Sequence, residues 1–280
     1  MREITGEQIS RAVRELFLSA NTELPAEALA ALQGALARER SQTARDVLET
    51  LVRNAEIARQ ERLAMCQDCG LAVVFAEVGR ECHLGADLYA AVDEGVRQAY
   101  ADGYLRKSVL ADPLQRNSNT GDNTPAIVHV RLVDGDRLTL HAAPKGGGSE
   151  NMSALWMLSP SAGRAGMIER IVARIVEAGG KPCPPLVLGV GLGGTFEKAA
   201  LLAKEALLRP LGQPHPEADI AALEAEILER VNATGVGPMG LGGDTTALAV
   251  HVDRHPCHIA SLPVALNVQC HAARHKTAVL

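Results

Sequence analysis

The 280-residue chain is 47% hydrophobic and 22% charged with a formal net charge of −5, a balance that suits a globular protein and excludes a basic nucleic-acid-binding face. Only 2% of its residues are aromatic, too few to stack bases or sugars, so small anionic ligands fit better. A chain of this length buries about three quarters of its unfolded surface, needs neither disulfide nor metal to fold, and so leaves its six cysteines open to chemistry. No run approaches the roughly 18 apolar residues of a membrane span, and charges fall in Met1–Leu16 where a signal peptide would be apolar. The sequence therefore predicts a cytoplasmic chain with reduced thiols.

Residues 5 to 60 predict a helical lead-in: Thr5 and Gln8 are spaced as a capping box, Pro25 opens a second helix, and Thr43 begins a third. The apolar run Leu71–Val78 predicts a buried strand and Ala86–Asp102 a helix. Ala126–Val133 and Arg137–Ala143, joined through Asp134-Gly135-Asp136, predict a hairpin that leads into Lys145-Gly146-Gly147-Gly148-Ser149-Glu150-Asn151. Gly163–Ala178 predicts a helix, Leu186–Val190 a strand, Thr195–Arg209 and Pro216–Val231 two more helices, and Thr246–Val252 and Ile259–Asn267 apolar segments near the end. No repeat or low-complexity linker interrupts this order, which predicts one domain over 1–280, of α+β class with mixed, largely antiparallel sheets surrounded by helices.

Chemistry concentrates on Cys66-Gln67-Asp68-Cys69-Gly70, where two sulfurs, an amide and a carboxylate share one turn. A lone C-x-x-C is a redox pair, half a zinc site, one edge of an iron–sulfur site or two buried thiols. Cys183 sits among three prolines and Cys270 follows a long apolar segment, so three rigidly held cysteines lie far apart in sequence. Three such thiolates can hold three irons of a cubane and leave the fourth iron open as a Lewis acid. The polar loop Asn117–Pro125 reads equally as a functional loop or a solvated connector. Glycines near Lys145 can aim N–H groups at an anion, and Arg106, Arg116 and Lys145 can clamp carboxylates, although each basic residue singly also reads as a solvated surface group. Gly189-Val190-Gly191-Leu192-Gly193-Gly194 matches a dinucleotide fingerprint, but no second strand with an acidic end follows, so close packing beside Cys183, with a helix N-terminus aimed at an anion, is the better reading.

Cys66–Gly70, Arg106-Lys107-Ser108 with Asp112-Pro113-Leu114, Asn119–Pro125, Lys145–Ser153, Cys183-Pro184-Pro185, Gly189–Lys198, Gly237–Gly243 and Gln269-Cys270 together resemble the iron–sulfur (class I) fumarate hydratases. The resemblance implies a 4Fe-4S cluster on Cys66, Cys183 and Cys270. It implies Gln67, Asp68, Arg106 and His258 in catalysis, Gly147, Gly148, Lys145, Arg106 and Asn123 around a small dicarboxylate, and hydration of fumarate to L-malate. It also implies a beta subunit in an alpha2beta2-type assembly, with 1–60 as lead-in and 61–280 as the cluster-binding core. Two positions depart from the pattern: Cys69 stands where the family has Thr, and His271 where it has Trp. Cys82 and Cys257 read as ordinary thiols. L-tartrate dehydratase alpha chains are similar around all three cysteines, and a non-catalytic zinc or redox protein built on Cys66 and Cys69 is the reading from another class.

Overall fold

The structure, a computed structural model, describes residues 2–280. In chain order its elements are β1 (Arg2–Ile4), α1 (Gly6–Thr22), α2 (Ala26–Arg38), α3 (Gln42–Glu61), β2 (Leu71–Gly79), β3 (Cys82–Leu84), α4 (Leu88–Asp102), β4 (Ile127–Val133) and β5 (Leu138–Lys145). There follow α5 (Gly147–Glu150), β6 (Ala154–Leu158), α6 (Gly163–Ala178), β7 (Leu186–Gly193), α7 (Phe196–Ala206), α8 (Ala218–Asn232), β8 (Ala247–His255), β9 (Leu262–Gln269) and β10 (Lys276–Val279). The fold is α+β with mixed sheets and a helical N-terminal segment. Contacts gather the chain into two compact units: Met1–Pro25, Asn54–Gly147 and Arg274–Leu280 form the first, and Ala26–Arg53 with Gly148–Ala273 the second.

The first unit is built on a four-stranded sheet in the order β10-β5-β2-β4. Its centre is β2, whose run LAVVFAEVG is buried at nearly every position, as a strand covered on both faces must be. Against it pack α1, through Ile9, Val13 and Phe17 at helical spacing, and α4, through Val92, Val96 and Tyr100. The capping box at the start of α1 forms as the sequence predicts: the Gln8 N–H donates to Thr5 Oγ1 at 3.2 Å and the Thr5 N–H to Gln8 Oε1 at 2.8 Å, a device worth about 1 kcal/mol.

The predicted hairpin is corrected by the same sheet. β4 and β5 do not pair with each other; β2 lies between them, parallel to β4 and antiparallel to β5. The reason lies in the backbone of the corner after β2: the N–H groups of Gly79, Arg80 and Glu81 donate to the carbonyls of Arg137, Val133 and Gly135 at 2.8, 2.9 and 2.9 Å. The Asp134–Asp136 turn is thus spread open around the end of the most apolar strand, which satisfies its own ladder on both edges.

The second unit carries the sheet β6-β9-β7-β8, with Ile168, Ile171 and Ile175 of α6 and Ile220, Leu223 and Ile227 of α8 in its core. A Cβ placed on Gly189 or Gly191 would come within 2.0 Å of the α7 carbonyls of Ala203 and Ala199. These glycines therefore let β7 and α7 touch backbone to backbone, so the close packing they permit is against α7. Glu39, buried between α2 and α3, accepts the N–H groups of Asp244 and Thr245 and so pins the end of the Gly235–Asp244 stretch.

Candidate active site

The Cys66–Gly70 turn lies just before β2 in the first unit, and the register Leu71↔Lys145 sets it beside the end of β5. Gly70 has φ +81°, and a Cβ there would meet the Lys145 backbone nitrogen at 2.7 Å; only glycine permits this turn. Tyr100, fully buried, extends its hydroxyl to within 2.8 Å of the carbonyls of Cys69 and Gly70, and burial pushes its phenol well up. Asn123, also fully buried, donates from Nδ2 to the Gly70 carbonyl at 3.1 Å and accepts the Ser108 N–H at 2.7 Å. The polar loop is thereby tied to the cysteine turn through its asparagine.

Asp68 is held at both carboxylate oxygens: Oδ1 accepts the Gly70 N–H at 3.0 Å and Oδ2 the Gly147 N–H at 2.7 Å. The Gly147 N–H, expected to face an anion, is thus directed at a carboxylate of the chain itself. The Cys66 sulfur accepts the Asp68 N–H at 3.4 Å. Gln67 is exposed on the same turn, with Oε1 3.7 Å from Cys66 Sγ. Arg106 is exposed and its guanidinium makes no ion pair among the described residues, whereas Lys145 is buried at the end of β5. Burial pushes the Cys69 thiol up, opposed by the Arg106 N–H that it accepts at 3.2 Å.

In the second unit Cys183 and Cys270 share one end of a sheet, since Cys270 follows Gln269, which pairs with Val187 at the start of β7. Cys183 is exposed, with φ +56°. His271 reaches its carbonyl twice: the backbone N–H donates at 3.3 Å and the ring Nδ1 at 3.1 Å. Gln269 Nε2 donates to Cys270 Sγ at 3.5 Å and to the Ala272 carbonyl at 3.0 Å. Exposed Gly148 opens a segment fixed by Glu150, which accepts Lys204 Nζ at 2.6 Å and Asn267 Nδ2 at 2.9 Å.

His258, which the resemblance places in catalysis, stands apart from the two cysteines of this unit. It lies three residues beyond β8, whose His255 pairs with Gly193 at the far end of β7, so the length of an eight-residue strand, roughly 25 Å, separates it from Cys183 and Cys270. Its ring is turned to its own loop, where Nδ1 accepts the Ala260 N–H at 3.1 Å. Conversely, Arg274 lies outside the sequence expectations: it is 3% exposed, donates to the Asp68 carbonyl and, at 3.1 Å, to Asn21 Oδ1, and keeps its Nε buried without an acceptor. An isolated arginine in a C-terminal HAARHK run carries no periodicity that would announce it.

Among the described residues no three His, Cys, Asp or Glu side chains converge as a site for a single metal ion. The donor chemistry fits ligation through sulfur, since Cys66 and Cys270 each accept an N–H, the kind of contact that sulfur ligands of iron–sulfur centres receive.

The model of the family described as fumarate hydratase (Fumerase) matches residues 10–279. The chain is 42% identical, over 95% of both chains, to a protein of Methanocaldococcus jannaschii provisionally named L(+)-tartrate dehydratase subunit alpha. It is 29% identical, over 92% of this chain and 86% of the relative, to the L(+)-tartrate dehydratase subunit alpha of Escherichia coli strain K12, and to the same degree to that of Escherichia coli O157:H7. No helix among the described residues is long and apolar enough to cross a membrane.

Proposed function

The chain belongs to the fumarate hydratase (Fumerase) family, and from that premise we propose that it is the alpha subunit of an iron–sulfur hydro-lyase that interconverts fumarate and L-malate. Cys66, Cys183 and Cys270 hold its 4Fe-4S cluster. The observation that carries the reading is the surroundings of two of these sulfurs: Cys66 and Cys270 each accept an N–H, from Asp68 and Gln269, the kind of contact that sulfur ligands of iron–sulfur centres receive. When bound, the cluster supplies an open iron that acts as a Lewis acid towards a hydroxyl or water.

The chain's own residues then have separable tasks. Arg106, exposed and without an ion pair among the described residues, is the guanidinium that receives a substrate carboxylate in bidentate fashion. Lys145 adds positive charge from the end of β5. Asp68 uses two of its four lone-pair sites on backbone N–H groups, which fixes its orientation and leaves two to take or return a proton at Oδ1 or Oδ2. Gln67 offers an exposed amide beside it. Hydration needs a clamp for each of two carboxylates and a proton-transfer group on the carbon opposite the hydroxyl. The relatives are named as alpha subunits, and a beta subunit supplies the remainder here, in an alpha2beta2-type assembly in the cytoplasm.

A second reading, dehydration of L(+)-tartrate, is favoured by the names that the relatives carry. The decisive experiment reconstitutes the cluster anaerobically, adds the candidate beta chain, and assays fumarate, L-malate and L(+)-tartrate separately. Turnover of fumarate at least tenfold more efficient than that of L(+)-tartrate supports the first reading, and the reverse order the second. Zinc without acid-labile sulfide would overturn both in favour of a thiol metal-binding module.

A further inference from the structure

The Cys69 thiol has no place in the proposed ligand set, yet it is 2% exposed and both its sulfur and its carbonyl are engaged. Its sulfur accepts the backbone N–H of Arg106 at 3.2 Å and lies 3.7 Å from the Cys66 carbonyl, which accepts its S–H. Its own carbonyl accepts the Tyr100 hydroxyl at 2.8 Å. Two positions beyond Arg106, the Ser108 N–H is bound by Asn123, whose amide also holds the Gly70 carbonyl. The segment from Arg106 to Ser108 is therefore docked at both its ends onto the turn that carries Cys66, Gln67 and Asp68. Between α4 and β4 the chain is otherwise largely exposed, and without such anchors a guanidinium there would have to be ordered each time a ligand binds.

We propose that Cys69 is a positioning residue that holds Arg106 against the Cys66 turn as a neutral hydrogen-bonding thiol, and thereby sets the affinity for the dicarboxylate without binding metal. This rests on the hydro-lyase reading given above. The two bonds need one group that both donates and accepts. A thiol does so and a metal-bound thiolate does not, because it has no proton for the Cys66 carbonyl. A hydroxyl has the same capacity, so Ser or Thr can replace Cys69, whereas Val matches the shape of Thr and leaves the Arg106 N–H and the Cys66 carbonyl without that partner.

The test uses the reconstituted two-subunit enzyme with Cys69→Thr, Cys69→Ser and Cys69→Val. Iron and acid-labile sulfide per chain, kcat and KM, and hydrogen exchange at the Arg106 amide are measured for each. The Thr and Ser variants are expected to keep full cluster content, a protected Arg106 amide and a KM within about threefold of the parent. The Val variant is expected to keep the cluster, to lose protection at Arg106, and to raise KM about tenfold with a smaller change in kcat, as the loss of two weak hydrogen bonds to sulfur implies. Loss of iron and sulfide in the Thr variant would show that Cys69 is a ligand and overturn the proposal. So would a Val variant with the parent's KM and Arg106 protection, or one whose kcat alone falls. If the parent enzyme itself holds no cluster and turns over no dicarboxylate, the functional reading fails, and the affinity role of Cys69 with it. In that event exchange at Arg106, identical in the Val and Thr variants, would also remove the positioning role.

Discussion

Asp68→Asn separates the turn-holding contacts of one carboxylate from the proton transfer proposed for it. In the native turn both oxygens accept backbone N–H groups, from Gly70 at 3.0 Å and Gly147 at 2.7 Å. An asparagine presents one oxygen and one NH2 in the same plane, so one of those N–H groups is left facing a donor. Hydrogen bonds to a charged group contribute about 1.5–3 kcal/mol, and the orphaned, partly buried donor adds to that loss. A destabilisation of about 3 kcal/mol follows, which for a chain of this size is a fall in Tm of roughly 6–12 °C. The amide also lacks the basicity to take a proton, so turnover in the reconstituted enzyme is expected to drop by about a hundredfold with cluster content unchanged. Thermal unfolding of the cluster-free chain and kcat of the loaded enzyme are read independently. A Tm within about 1 °C of the parent would refute the clamp geometry, and a lowered Tm with near-normal turnover would reduce Asp68 to a turn cap.

Cys66→Ser, Cys183→Ser and Cys270→Ser are each expected to abolish bound iron and acid-labile sulfide, while Cys82→Ser leaves both at the parent level; full cluster content in any of the first three would overturn the ligand set. Gly70→Ala should be among the most damaging single methyl additions, by several kcal/mol, because the φ of +81° and a 2.7 Å approach to the Lys145 nitrogen leave no room; chemical denaturation reads it, and a loss under about 1 kcal/mol would contradict this turn geometry. His141 is held below the ordinary imidazole range, first by burial, so the folded state favours the neutral ring. Its contribution is present above the unfolded pKa of about 6.5 and is lost as pH falls through the folded value, and urea titrations from about pH 7.5 to 5 should show a stability decline that His141→Gln flattens. Reconstituted without a beta chain, the alpha chain is expected to hydrate no fumarate; full turnover alone would sink the two-subunit reading.

What the residues disclosed in advance follows a physical division. The capping box at Thr5, the apolar run of β2 and the helical spacing of α6 were legible because each is a local pattern whose partner sits a few positions away. The hairpin failed because a turn signal at Asp134-Gly135-Asp136 reports only a change of direction, whereas pairing depends on which strand most needs two neighbours, and β2 outcompeted the local partner. Cys66, Cys183 and Cys270 stood out by residue type and by rigid surroundings.

The groups that hold such residues in place escape this kind of reading for a different reason. Arg274 reaches the Asp68 carbonyl, Cys69 takes the Arg106 N–H, His271 takes the Cys183 carbonyl, and Tyr100 spans two carbonyls of the cysteine turn. Every one of these partners is a main-chain atom, present at every position along the chain, so no residue pattern marks where the bond will land. It follows that substitution at a ligand and at its support should behave differently: a cysteine ligand tolerates no replacement, while a support tolerates any side chain that places the same donor or acceptor at the same main-chain atom. The two positions at which this chain departs from the resembled family, Cys69 and His271, are both supports of this kind, which is where a change of residue with conserved hydrogen bonding costs least.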